Sequence, residues 1–373
     1  MGRWEHVRLG DVCRVQNGFA FDSGKFSNRG TPVIRIRDVV RGYTDTYTTE
    51  PFRPGYMVSG GDLLIGMDGE FNIAKWRGGD SLLNQRVCRL TENAQEVLKG
   101  YLLYCLPGKL KAIEAATPFA TVKHLSSKTI NEIRIPLPPL PTQRAIAATL
   151  DQAAALIALR RRQAEKLDLL VRARFAEMFG DIGEEIEIRH YVNALIAGKS
   201  LAGEMECGNK VLKTSSVRFD AFDAAQTKDL PAAYEPLALH AVNRGDVLIS
   251  RMNTLELVGA AAYVWKGLDH TYLPDRLWKA VCTDQANPIF LWQALIQPKT
   301  KEGIRSIAGG TSGSMKNISK AGFLGIRVPK APLPLQRAFA QFVSQAESQK
   351  QALKQAQAKL QLQYDALMQD YFG

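Results

Sequence analysis

Residues 133–145 (IRIPLPPLPTQRA) return 193 positions later as residues 326–338 (IRVPKAPLPLQRA), with nine identities and no gap. A chain that contains its own copy is a tandem duplication, one unit used twice. The same offset aligns Thr121-Val122-Lys123-His124-Leu125 with Ser314-Met315-Lys316-Asn317-Ile318, and Met178-Phe179-Gly180 with Tyr371-Phe372-Gly373. Upstream the offset falls to 184, matching Gly61-Asp62-Leu63-Leu64-Ile65 to Gly245-Asp246-Val247-Leu248-Ile249, and the flanking sequence is much less alike. The ends of the two units are similar and their bodies have diverged. Such a pair reads as a device that grips two similar things at a fixed separation.

Each body is rich in strand signals punctuated by Gly, Asp and Asn. The pattern predicts strands over residues 31–40, 62–67 and 86–90 in the first body, and over 210–219, 246–250 and 259–265 in the second. Helices are expected at 94–106 and 289–297. Each body then closes on a proline stretch (Pro136, Pro138, Pro139, Pro141; Pro329, Pro332, Pro334), a stiff stop that leads directly into a helix. In the first of these helices apolar residues recur every seven at Leu150, Ile157, Ala164, Val171 and Met178, with Ile146, Ala153 and Leu167 in the companion row. In the second, Phe339, Ala346, Leu353, Leu360 and Leu367 form one clean row, while the companion row holds Val343, Lys350, Gln357 and Tyr364. One helix per repeat pairs most simply as an antiparallel coiled coil, its polar positions fixing register. A helix of about 38 residues spans roughly 57 Å, which makes it a spacer. The expected fold is α/β: a tandem repeat of two mixed-sheet bodies, each followed by a long helix, over residues 1–141, 142–183, 184–334 and 335–373.

Composition narrows the partners. With 48 Lys and Arg against 37 Asp and Glu the formal charge is +11, which favours a polyanion. The N-terminus has no apolar core of a signal peptide and no apolar run reaches the ~20 residues of a membrane span, so a cytoplasmic protein is expected. Five widely spaced cysteines without a CxxC pair suggest neither disulfides nor zinc, and the five histidines do not cluster.

In this order, and doubled, the motifs resemble the specificity (S) subunits of type I DNA restriction-modification systems. The resemblance covers essentially the full length. It rests on the Gly-Asp-x-Leu openings at Gly61 and Gly245, Asn84-Gln85 before a core strand, and the closing I-x-I-P-x-P-P-x-x-x-Q from Ile133 to Gln143, echoed from Ile326 to Gln336. Thr142 and Leu335 stand where the family often has Glu before that Gln, and the second body lacks a clear Asn-Gln. The resemblance implies two target-recognition domains, each reading one half of a bipartite asymmetric DNA site, with helices that set the gap and dock two modification (methyltransferase) subunits. Restriction subunits, which are ATP-dependent endonucleases, complete such complexes. S-adenosylmethionine and ATP belong to the partner subunits, and this chain carries neither a cofactor nor catalysis.

Contacts to DNA need donors and acceptors that reach groove edges, or cations that reach phosphates. Residues 117–128 and 311–320 are polar loops in matching places, which singles out Lys123 with His124 and Lys316 with Asn317. The alternative is that these residues cap a helix or line a solvated loop. Arg35 and Arg37 share one face of the strand expected there, facing DNA or water. Lys75 and Arg77 flank Trp76, and Arg251 and Asn253 follow a strand. Arg276 and Lys279 near Trp278 are weaker choices, because Trp is more often a core anchor. Arg160, Arg161 and Arg162 break the heptad and suit a partner's acidic surface, phosphates or plain solvent.

Two motifs are rejected. Asn287-Pro288-Ile289-Phe290 resembles a methyltransferase motif, but no glycine-rich cofactor turn lies upstream, and Asn-Pro before an apolar run is an ordinary helix start. The segment from Gly309 to Lys316 has the wrong spacing for a phosphate loop. A self-contained methyltransferase or nuclease fragment, and a purely structural coiled-coil protein, are the competing functions.

Overall fold

The computed structural model of the chain describes residues 4–51, 53–117, 123–203, 208–310 and 315–373. It divides into two units, residues 1–161 with 355–373, and residues 162–354.

In the first unit the central sheet is antiparallel, in the order Cys13–Asn17, Val87–Glu92, Leu63–Gly66, Asn72–Lys75. Alternation splits its side chains between two cores. Leu63, Ile65, Cys88 and Leu90 join Leu102, Leu106 and Leu110 of the helix Lys99–Ala116. Leu64, Val87 and Trp76 meet Ile34, Val39, Val58 and Leu83 on the other face. With both faces covered, Leu63–Gly66 is buried throughout and reads as a continuous apolar run. The second sheet is mixed, since Thr31–Ile34 runs parallel to Ser81–Leu83 and antiparallel to Tyr47–Thr48.

The second unit repeats this plan. Its sheet has the order Val192–Ile196, Leu277–Cys282, Val247–Ser250, Ala261–Tyr263. Val247, Ile249, Trp278 and Ala280 face the larger core and Leu248, Ala262 and Leu277 the smaller.

The Gly-Asp motif has the same physical job in both copies. Gly61 and Gly245 turn at φ +100° and +98°, a conformation that favours glycine. The carboxylate that follows accepts a backbone N–H, from Ser59 for Asp62 (3.2 Å) and from Asn243 for Asp246 (2.7 Å). Each also meets a cation from the neighbouring strand, Arg89 at 3.4 Å and Lys279 at 3.5 Å. Burial raises the Asp246 carboxyl above the usual range, opposed by the Asn243 N–H and by Lys279.

The closing glutamines are fully buried clamps. Gln143 Oε1 accepts from Leu98 N–H at 2.9 Å, and its Nε2 donates to the carbonyls of Glu96 and Pro138, both at 2.8 Å. Gln336 does the same with Asn287 N–H (2.8 Å) and with the carbonyls of Gln285 (3.0 Å) and Ala331 (2.8 Å). Each clamp fastens the first turn of a long helix to the segment that opens the body's own helix.

The long helices are Leu140–Phe179 and Leu333–Phe372. In the first unit Ile146 and Leu150 share a core with Tyr364, Leu367, Met368, Tyr371 and Phe372. In the second, Val171, Phe175 and Phe179 pack with Phe339, Ala340, Val343 and Ala346. The start of one helix thus meets the end of the other, which is the antiparallel pairing expected from the heptads. The polar position in the seam is satisfied, since Lys350 Nζ lies 2.7 Å from Asp168 and 3.5 Å from Glu347.

Several expected elements differ. Residues 31–40 are not one strand: Thr31–Ile34 is followed by a helix, Ile36–Arg41. Asp38 accepts the Arg35 backbone N–H at 2.9 Å, and Gly42 ends the helix at φ +77°. The helix expected at 94–106 is Lys99–Ala116, because Asn93 and its neighbours form a turn first. The helix expected at 289–297 ends at Leu295, and Pro298 starts another, Pro298–Ser306. Residues 210–219 break after Leu212 and end in a hairpin turn, with Phe219 and Asp220 at φ +50° and +62°. Pro141 and Pro334 lie within the first helical turn, where a missing N–H leaves no bond unmade.

Candidate nucleic-acid interface

Three chain segments meet where the strand Leu63–Gly66 ends. Met67 N–H donates to Arg86 O (3.0 Å), Leu125 N–H to Met67 O (2.7 Å), and Gly69 N–H to Lys123 O (3.0 Å). Asp68 stands at the junction, with its carboxylate 2.8 Å from Arg86 Nη1 and 2.6 Å from His124 Nδ1. Both partners, the Arg86 guanidinium and the His124 imidazole, are about half exposed, at 53% and 52%.

The second unit brings equivalent segments together after Val247–Ser250. Arg251 N–H donates to Arg276 O (3.1 Å), Ile318 N–H donates to Arg251 O (3.0 Å), and Met252–Asn253 pairs with Lys316–Asn317. The Arg251 guanidinium lies 5.9 Å from the Trp278 ring, and Asn253 Nδ2 donates to Ser250 Oγ at 3.2 Å. Asn317 is exposed and Lys316 half-buried, with Lys316 Nζ donating to Gly310 O at 3.1 Å. These clusters offer exposed guanidinium, imidazole and amide groups, the chemistry that phosphates and base edges take.

The candidates from sequence divide by place. Lys123, His124, Arg251, Asn253, Lys316 and Asn317 fall in the two clusters. Lys123 Nζ donates to Glu114 O (2.6 Å), in the last turn of Lys99–Ala116, which is a helix-capping geometry. The loop residues 118–122 and 311–314 that flank these lysines lie outside the described residues. Arg35 opens the helix Ile36–Arg41, and Arg37 is engaged by Asp45 at 2.9 Å and Asp38 at 3.6 Å. Arg77 donates to the carbonyls of Arg41 (3.1 Å) and Val40 (3.4 Å) at that helix's other end. Lys75 pairs in register with Leu63, at the end of the sheet away from Asp68. Arg160 is half-buried in mid-helix, Arg161 and Arg162 are exposed, and each has an intramolecular partner. Asp68 and Arg86 were not among the expected site residues. Arg86 directly follows Asn84-Gln85, and reading it as the first residue of a core strand concealed it.

Burial pushes the thiols of Cys13, Cys88 and Cys105 up to about 12 and that of Cys282 to about 11, so all four stay protonated near neutral pH. Cys207 lies outside the described residues. Among the described residues no group of three or more His, Cys, Asp or Glu side chains is placed to hold a metal ion. No helix among them is long and apolar enough to cross a membrane.

Comparison with known proteins gives consistent results. The model of the type I restriction modification DNA specificity domain matches residues 1–169. The specificity subunit of the type I restriction enzyme EcoBI of Escherichia coli is 46% identical over 150 residues, 40% of this chain and 32% of that subunit. In that match the chain spans about a third of the relative's length. The EcoKI specificity subunit of Escherichia coli K12 is 25% identical over 325 residues, 77% of this chain and 69% of the subunit. The MjaVIII specificity subunit of Methanocaldococcus jannaschii is 22% identical over 373 residues, 91% of this chain and 84% of the subunit. Among solved structures, the S subunit of a type I restriction-modification system from M. genitalium superposes with a TM-score of 0.60 at 16% identity, covering 100% of this chain and 96% of that one. A chain from a structure of type I R-M complex assembly gives 0.58 at 18% identity, covering 99% and 98%. These two share the fold. The specificity-domain match covers residues 1–169 and the relatives are specificity subunits, so the chain is similar to type I restriction-modification specificity subunits, and its second unit builds the same sheet and loop junction again.

Proposed function

We propose that this chain is the DNA-reading subunit of a type I restriction-modification complex, in which each body reads one half of a bipartite asymmetric site. The observation that carries this reading is the recurrence of one sheet and one three-segment loop junction in two bodies of diverged sequence, each clamped by a buried glutamine to a long helix. Equal frameworks with unequal loops are what two different half-sites require. The helices set the gap and dock two modification subunits, with Arg160, Arg161 and Arg162 as candidate contacts, and restriction subunits complete the assembly. The chain is non-catalytic and works in the cytoplasm, and S-adenosylmethionine and ATP are held by its partners. The formal charge of +11 supports a polyanionic target.

The test is exchange of residues 1–140 for the corresponding body of another such subunit, followed by mapping the methylated site. One half of the recognised sequence should change and the other should stay. A change in both halves, or in neither, sinks the assignment of one body to one half-site.

A further inference from the structure

Arg86 and Arg276 occupy one position in two bodies of diverged sequence. Arg86 directly precedes the strand Val87–Glu92 and Arg276 directly precedes Leu277–Cys282. The registers Val87 with Gly66 and Leu277 with Ser250 set both arginines just beyond the end of the strand that the Gly-Asp turn begins. Each backbone carbonyl takes the N–H that leaves that strand, from Met67 at 3.0 Å and from Arg251 at 3.1 Å. The residues leading in are Asn84-Gln85 in one body and Pro274-Asp275 in the other, so only the arginine is the same. Both side chains are exposed, and neither belongs to a core cluster.

A side chain repeated while its neighbours change suits a target feature that is the same in both halves of a site. In duplex DNA that feature is the phosphate backbone, and a guanidinium grips phosphate through two parallel N–H bonds. We propose that Arg86 and Arg276 are paired phosphate contacts, one for each half-site, an inference that rests on the DNA-reading function proposed above. The two are held differently. Asp68 ties Arg86 to His124, whereas Met252 and Asn317 stand at the equivalent places in the second unit. Among the described residues no carboxylate makes an ion pair with Arg276. Arg86 is aimed in advance and partly neutralised by Asp68, while Arg276 brings a charge that no ion pair among the described residues offsets.

The experiment uses the full chain assembled with its modification subunits and a fluorescent mixed-sequence duplex titrated over a range of salt. Arg86→Ala and Arg276→Ala should each weaken binding roughly 3- to 10-fold at about 0.1 M salt and lower the log–log salt slope by ~0.9, and the double variant by ~1.8. Arg86→Lys and Arg276→Lys should keep the slope. Asp68→Asn, which releases Arg86 without removing charge from it, should bind as tightly as the parent or tighter, with melting temperature followed alongside. Unchanged slopes in both alanine variants, with the parent still binding, would overturn the pairing and leave the DNA-reading function standing. So would lysine variants that lose the slope, or an alanine variant that relaxes the choice of a single base pair at constant slope. A parent complex that shows no salt-dependent duplex binding overturns both readings.

Discussion

At the scale of single residues, the amides of Gln143 and Gln336 decide whether a body and its helix are one object. Both side chains are fully buried, and each bonds one N–H and two carbonyls. Replacing Gln143 with Ala leaves the Leu98 N–H and two carbonyls without partners, a loss of about 1–3 kcal/mol in urea unfolding. Gln143→Glu should be worse than Gln143→Ala, because a carboxylate oxygen would then face the carbonyls that Nε2 now donates to. The same order should hold at Gln336. A neutral Gln143→Ala would show that the junction is fixed by packing alone. The recurrence of the glutamine was visible in the sequence. Its partners were not, since Leu98 and Asn287 lie 45 and 49 residues away. Lys123 gives the same lesson, for the carbonyl of Glu114 that it caps is delivered by the tertiary fold.

Among elements, the long helices are the ones whose pattern is local, and they were readable for that reason. Seven-residue spacing named Phe339 and Ala346, and both lie in the seam. The helix Ile36–Arg41 was not readable. Its alternating Val33-Ile34-Arg35-Ile36-Arg37 imitates a strand, and the deciding contact is a single Asp38 carboxylate on the Arg35 N–H. The seam also supports a prediction. Seven residues inserted after Gln163 add ~10 Å to one helix, nearly preserving its face but not its register. Ile146 and Leu150 cannot then keep Leu367 and Met368 while Val171 and Phe175 keep Phe339 and Val343. Assembly with the modification subunits of the proposed complex should fail, and a second heptad inserted after Lys354 should restore it. Normal assembly of the single insertion, measured by size-exclusion chromatography, would refute the paired-helix ruler.

On the scale of the whole molecule, duplication and charge were legible, while the residues that complete the first unit's core, brought from the far end of the chain, were not. The first unit is closed by residues 355–373, which supply Tyr364, Leu367, Met368, Tyr371 and Phe372 to its core. Chain ending at Lys354 should therefore lose on the order of 5 kcal/mol from the first unit, at roughly 1 kcal/mol for each partly buried side chain. Limited proteolysis should then cut within residues 4–117 while residues 162–354 stay protected. Equal protection of both units would contradict this. The partition also bears on how the protein is made. A ribosome delivers the whole of the second unit, residues 162–354, before it delivers the helix end that completes the first. The body translated first is thus the last to close, and its half-built core is the surface a nascent chain presents to chaperones and proteases until the final turns of helix emerge.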